Sequence, residues 1–385
     1  MLSTQNCEDI LNLIKCSPES FSKISQTIVF GEDFAKEGCY IFKINNEILE
    51  SLNSNSQPNS FVIKGKTNDI AVLCTNNKSY EIREAETSNA LLILPNLELN
   101  FNNKEKEPFI NQLITVSSTC NKFYEVNLRK SKIGQVYKIL QRSILYHHID
   151  ENTNEEIYTF EKLLEVVIMS EEELKNALRE LKVYNVDGHL RLLYIDYIYD
   201  IIVKIIECSF ENDFSIFDVS QNNVQSMLND LFPIEILDQT LNYYFVKLIE
   251  KDRDTIWKIN IIEVTRCFAE FILNKSDEMK LEEFLVMWNE KLPEDLNGDI
   301  NNLHGLVIIN ETSQPNSVKL VKFLTLSDEP EERFKELFLQ KSHWQQEDLE
   351  GYIKDLVPPG MSASQLIMRF CRCINNAKIK TFSKR

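Results

Sequence analysis

The spacing of apolar residues changes period once along this chain, near Arg129, and that change constrains the fold more than any other feature. Upstream, short runs rich in Val, Ile, Leu, Phe and Tyr recur at 26–31, 39–43, 60–65, 69–75, 78–85, 89–94 and 121–128, bounded by turn-forming residues. Asn76-Asn77 falls between two of them, where a hairpin loop belongs. The stretch 95–108 is polar and rich in Asn, Lys and Glu, and reads as a loop. Short strands at hairpin spacing imply a small sheet or half-barrel, and its open edges need cover from a partner.

Downstream the period is helical. Phe160, Leu163, Leu164, Val167 and Ile168 make one apolar stripe. Ser170 and Glu173 have the spacing of a capping box opening a helix through Leu174, Leu178 and Leu181. Asp187-Gly188 then marks a hairpin over 184–192, with a further helix expected near Val136 to Tyr146. Helices followed by a hairpin define a winged helix-turn-helix. The scheme returns with Ile198, Ile201, Ile202 and Ile205, then Val224 to Leu231, then a helix with Pro233 at its first position and a hairpin over 245–261. It returns again from Val264 to Leu324, with strands on either side of Pro315-Asn316. A last stretch runs from Phe334, through a helix capped by Ser362, to an alternating run at 378–382. The hairpin tips recur every ~60–65 residues, the mark of a tandem array. The expected fold class is α+β: an N-terminal β-rich partial barrel followed by a tandem array of winged-helix domains. The boundaries are a β-rich partner-binding domain at 1–128, a basic and polar linker opening the first unit at 129–157, and winged units at 158–195, 196–262 and 263–385, with a fourth set at 329–385. The competing reading is an irregular α+β domain whose hairpins share the spacing by chance.

Composition narrows the function. The 385 residues, 43% hydrophobic, suffice for two or more cores. Nine glycines and ten prolines argue against glycine-rich phosphate loops. No G-x-G-x-x-G, G-x-S-x-G or H-E-x-x-H occurs, and Gly65-Lys66 lacks the upstream glycine of a P-loop. The nine cysteines are scattered without a CxxC pair, which reads as reduced thiols in a cytosolic or nuclear protein. Cys7, Cys16 and Cys39 lack a local histidine motif, and the adjacent His147 and His148 do not share a helical face. The chain is therefore expected to be non-enzymatic, with no catalytic residues, no metal site and no cofactor. The start lacks a secretory pattern, and the longest apolar stretch, Leu192 to Ile206, is broken by Asp196, Asp200 and Lys204, so no membrane contact is expected.

The net charge of −17 keeps the bulk field from attracting nucleic acid. The exception is the end: Arg369, Arg372, Lys378, Lys380, Lys384 and Arg385 stand in a stretch from Met361 without Asp or Glu. Arg369 and Arg372 are placed on the last helix and Lys378 and Lys380 on the strand after it. These six are the candidate contacts to DNA phosphates, independent of base sequence.

Two blocks carry a family resemblance. The first runs from Asp69 to Asn89, reading D-I-A-V-L-C-T-N-N-K-S-Y-E-I-R-E-A-E-T-S-N, and continues through Leu91-Leu-Ile-Leu-Pro95. The second, from Leu281 to Leu356, includes Glu283-Phe284, Trp288, Leu292-Pro293, Glu332-Arg333-Phe334, Trp344 and Tyr352-Ile353-x-Asp355-Leu356. In this order they resemble the Dcc sister chromatid cohesion proteins. The resemblance implies a nuclear accessory subunit of an alternative replication factor C clamp loader. Its implied partners are a small Ctf-type loader subunit, the C-terminus of the large loader ATPase, the DNA polymerase epsilon catalytic subunit, DNA and, indirectly, the sliding clamp. The β-rich region is implied to complete a joint barrel with the loader subunits, which makes Val72, Leu73, Tyr80, Ile82, Leu91, Leu92 and Ile93 the candidate partner-binding residues. The alternative is a winged-helix scaffold of a ubiquitin-ligase or proteasome-type complex.

Overall fold

A computed structural model describes residues 24–36, 38–53, 61–67, 69–95, 97, 110–146, 157–211, 215–251, 254–311, 314–376 and 379–385. These residues form a mixed α+β structure of helices and small sheets. They fall into two compact units, one within Met1–Gln57 and Glu81–Asn127, the other within Pro58–Tyr80 and Leu128–Arg385. The division crosses the β-rich stretch rather than following it.

The first unit is built on two long strands, β1 (Ile24–Lys36) and β6 (Ile110–Arg129). They pair in parallel, from Ile24 opposite Ile110 to Lys36 opposite Thr119, with an irregularity between Phe30 and Ala35. The short β2 (Phe42–Lys43) also runs parallel to β6, and β5 (Ser79–Ile93) flanks β6 on its other side. Ile114, Val116, Ser118 and Cys120 alternate into the buried face of β6, as the two-residue period of a strand requires. A helix α1 (Asn46–Asn53) buries Ile48, whose backbone N–H donates to the Asn45 side chain at 2.9 Å.

In the second unit β3 (Val62–Lys64) pairs antiparallel with β4 (Val72–Cys74), which turns at 75–78 into the start of β5. This segment is held by side-chain bonds. Lys64 Nζ donates to the carbonyls of Leu164, Val167 and Met169 at 2.6, 3.3 and 3.0 Å, around the C-terminal turn of α3 (Phe160–Val166). The ammonium thus meets the negative end of that helix, while burial holds its pKa below the ordinary lysine value. Ser79 Oγ donates to Glu173, and the Ser170 N–H donates to Ser79 Oγ, which ties β5 to the capping box at the start of α4 (Glu171–Glu180). Lys64→Met should cost about 1–3 kcal/mol in urea unfolding, because it strips three carbonyls of a charged donor. A cost below about 0.5 kcal/mol would show those carbonyls to be satisfied by water.

The remainder repeats one arrangement. A first helix is followed by a short extended segment, a second and a third helix, and a hairpin, and the short segment pairs with the hairpin's second strand. In repeat one these are α2 (Ile133–Leu140), the bridge Tyr158 to Leu190, α3, α4, and β7 (Tyr184–Val186) with β8 (His189–Arg191). Repeat two has α5 (Ile195–Glu211), β9 (Val219–Ser220), α6 (Gln221–Leu228), α7 (Ile234–Tyr244), and β10 (Phe245–Lys251) with β11 (Asp254–Ile259). Repeat three has α8 (Ile261–Leu273), β12 (Met279–Lys280), α9 (Leu281–Lys291), a 3-10 turn at Ile300–Leu303, and β13 (Val307–Asn310) with β14 (Ser317–Leu320). Repeat four has α10 (Pro330–Gln340), β15 (His343–Gln345), α11 (Gln346–Ile353), α12 (Ala363–Phe370), and β16 (Cys371–Asn376) with β17 (Ile379–Lys384).

Local chemistry sets the ends of these elements. Ser170 and Glu173 form the expected capping box, and Ser362 with Gln365 forms another. Asp187 and Gly188 both take positive φ, 51° and 78°, as a tight two-residue hairpin demands. Pro233 stands at the N-cap of α7 rather than at its first helical position. Arg372 lies on β16 and not on the last helix, because α12 ends at Phe370 and Cys371 and Arg372 then alternate between buried and exposed. Repeats two and three share one core, repeats one and four have their own, and Leu324 packs against both of the latter.

Candidate protein and nucleic-acid interfaces

The first unit leaves large apolar side chains in water. Ile28 and Phe30 on β1 stand in register with the buried Ile114 and Val116, yet are 51% and 62% exposed. Leu113 on β6 and Leu91 and Leu92 on β5 are exposed as well. Near β2, Phe42 stacks on Tyr124 with centroids 5.4 Å apart, and the exposed Tyr40 reaches the same ring at 6.0 Å. Around this ring Lys43 pairs with Glu125 at 2.9 Å and Lys122 with Glu84 at 3.0 Å, so the aromatic cluster is rimmed by neutralised charge. Exposed apolar side chains beside a polar rim are the composition of a protein interface.

Of the seven candidate partner-binding residues, Leu91 and Leu92 are exposed, while Leu73, Ile82 and Ile93 are half-buried. Val72 and Tyr80 are fully buried, so they support the second unit instead of facing a partner. Sequence reasoning passed over Ile28, Phe30 and Leu113. The run at 26–31 reads as a strand from its apolar content, but the face that stays open depends on the distant β6.

The basic end assembles on the solvent side of repeat four. Arg369 on α12, Arg372 on β16, Lys384 on β17 and the adjoining Arg385 are all exposed. The hairpin register sets Arg372 opposite Ser383 and Cys371 opposite Lys384. Arg385 Nη1 donates to the Arg369 carbonyl at 3.1 Å, which places a cation on the last turn of α12, where the helix dipole favours it. Lys380 sits on β17 opposite Asn375, and Lys378 lies outside the described residues. Gln365, the amide side chain on the exposed face of α12, already accepts from the Ser362 N–H in the capping box. The exposed charged side chains from Met361 onward are all cations.

The other hairpins differ. Gln239 on α7 grips the Asn185 backbone of the first hairpin, accepting its N–H at 2.7 Å and donating to its carbonyl at 2.9 Å. Tyr243 adds a bond to the Val183 carbonyl, so this hairpin is a joint between repeats. In the third hairpin Val307 packs in the core of repeats two and three while Ile308 packs in that of repeat four. The basic segment after Arg129 is likewise engaged: Lys132 pairs with Glu329, Lys138 with Asp328, and Lys130 donates to the Lys354 carbonyl.

Among the described residues no group of three or more His, Cys, Asp or Glu side chains is placed to hold a metal ion, and no helix is long and apolar enough to cross a membrane. Burial pushes the Cys371 thiol up to about 12 and raises Cys74 and Cys267 too, so these thiols stay protonated and poorly nucleophilic. Cys39 is exposed, and Cys7 and Cys16 lie outside the described residues.

A family model described as Sister chromatid cohesion protein Dcc1 matches residues 40–353. The chain belongs to this family of sister chromatid cohesion proteins. It is 25% identical to Sister chromatid cohesion protein DCC1 of Xenopus laevis, across 100% of this chain and 98% of that protein. It is 26% identical to the Homo sapiens protein of that name over 85% of this chain and 84% of the human one. The match to the Saccharomyces cerevisiae protein, at 29% identity, spans 36% of this chain and 37% of that one. The family description and these names carry no catalytic activity.

Proposed function

We propose that the chain is a non-catalytic nuclear subunit of an alternative replication factor C clamp loader, linking it to leading-strand polymerase and DNA in support of clamp loading or unloading and cohesion. The observation that carries this reading is the exposed apolar surface of the first unit, in a chain of a cohesion family. Ile28 and Phe30 on one face of the sheet, Leu113 on the other, and Leu91 and Leu92 on β5 are the exposed apolar side chains offered to the small Ctf-type subunit and to the C-terminus of the large ATPase, which would close the sheet into a joint barrel. The four repeats are read as winged helices. Their short strand pairs with the second hairpin strand, giving the strand order β9-β11-β10 and its counterparts, and that supports the reading.

The second role is phosphate contact by repeat four. Arg369, Arg372, Lys384 and Arg385 are the exposed cations of a region free of carboxylates. Binding to duplex DNA should be independent of base sequence and should weaken with salt at a slope of about −0.9 per phosphate neutralised. The triple charge reversal R369E/R372E/K384E should lower affinity at low salt by more than ~10-fold and flatten that slope by about 3 in a fluorescence-anisotropy titration. Unchanged affinity and slope would remove DNA from the partners of this face, leaving polymerase and loader contacts as the function.

A further inference from the structure

The four repeats are strung in order along the chain, yet the first also meets the last. The segment before α10 in repeat four lies against α2 of repeat one. Lys132 pairs with Glu329 at 2.6 Å and Lys138 with Asp328 at 3.3 Å. Lys130 donates to the Lys354 carbonyl at 2.5 Å, and Lys354 in turn stands 3.7 Å from Glu180 at the end of α4. Leu324 packs against the cores of both repeats. At the centre is Asp328, which stands 3.7 Å from the buried Arg333 as well as facing Lys138.

At Gly134 a Cβ would fit only if the Asp328 carboxylate shifted, and that carboxylate is held by Lys138 at 3.3 Å and by Arg333 at 3.7 Å. Gly134, in the first turn of α2, takes ordinary helical geometry, so nothing in its own backbone calls for glycine. A Cβ built there would overlap the Asp328 carboxylate. Glycine is a poorer helix former than alanine, so the helix itself does not call for it here. The flanking ion pairs are half-exposed and subject to screening by salt, which makes them weak by themselves. Besides Leu324 and the Lys130 bond, the joint rests on the fit between Gly134 and Asp328.

We propose that the Gly134–Asp328 contact is a lock that closes the array of repeats on itself, holding the basic face of repeat four in one orientation relative to repeat one. Asp328 is a positioning residue in this device, and Gly134 is the seat that admits it. The lock does not depend on which partner the basic face takes.

Gly134→Ala in the full chain is the direct test. Alanine favours the helix by about fourfold to fivefold in equilibrium constant, so α2 itself is not weakened. Backbone hydrogen exchange, followed by mass spectrometry, should rise ~10-fold or more at 323–330 and along the facing turn of α2, which is the signature of local opening. Exchange in the β10–β11 and β16–β17 hairpins should stay as it was. Adding Gly134→Ala to an Asp328→Ala protein should then produce no further rise, because the overlapping carboxylate is gone. Unchanged exchange at 323–330 in Gly134→Ala would overturn the proposal. So would an equal rise in every segment, which marks general destabilisation, or effects of the two substitutions that simply add.

Discussion

Replacing Arg333 with methionine is expected to unfold repeat four at temperatures where the rest of the chain remains folded. The side chain of Arg333 is fully buried, and Asp355, its partner at 2.6 Å, is 5% exposed. The guanidinium also donates to the Ser327 carbonyl at 2.6 Å and the Tyr352 carbonyl at 2.9 Å, joining α10 to α11. Methionine fills similar volume but leaves a buried carboxylate without its cation. Breaking a buried pair from one side costs about 3–5 kcal/mol, whereas replacing both partners by apolar residues is often near neutral. R333M should therefore lower denaturation stability by that amount, and R333M/D355L should recover most of it. A loss under about 1 kcal/mol for R333M would mean that Asp355 reaches water and that the pair is not structural.

The second large effect is expected at Trp288, which is also completely buried. Its indole N–H donates to the Thr265 carbonyl at 3.0 Å, and its ring stacks on Phe284 at 5.3 Å. On its other side lies Gly298, where a Cβ would sit 2.6 Å from Trp288 Cε3. Trp288→Ala removes this contact area and the indole bond to the Thr265 carbonyl, for about 3–5 kcal/mol. Because one core serves repeats two and three, both should loosen together. Gly298→Ala should cost about 1–3 kcal/mol in the native background by overpacking, and much less once Trp288 is alanine. Additive costs for the two substitutions would contradict the packing described.

Both residues belong to the blocks that carried the family resemblance, and the structure supplies the reason for their types. Glu332-Arg333-Phe334 and Tyr352-Ile353-x-Asp355 are two sides of one buried ion pair. The local signals in the helical part were legible because they are local. The Ser170 box, the Asp187-Gly188 turn and the Ile198 to Ile205 stripe each depend on residues within a few positions. What escaped is either very short or long-range. β9 and β12 are two residues each, too brief for any period, yet they reveal the repeat. The helix α1 at 46–53 passed unnoticed between strand-like runs. β5 joins two runs read as separate strands, and β6 extends far upstream of 121–128 through Ser117, Ser118 and Thr119, whose polarity hid it. The family resemblance named Val72 and Tyr80 together with Leu91 and Leu92, but only burial in the folded chain separates the first two from the exposed pair. In the basic end, charge alone located the face, while register placed Arg372 on a strand.

The central claim is that the apolar surface of the first unit binds loader subunits. Its most direct test is affinity capture of the tagged full chain from nuclear extract beside an Ile28→Asp/Phe30→Asp variant, with bound proteins identified by mass spectrometry. Both substituted side chains are already exposed, so the fold should persist, and circular dichroism checks this. Small clamp-loader subunits are expected with the native chain, and their loss with the variant. Equal recovery of those subunits with both proteins would place the interface elsewhere. Recovery of ubiquitin-ligase components in their place would contradict the loader assignment itself.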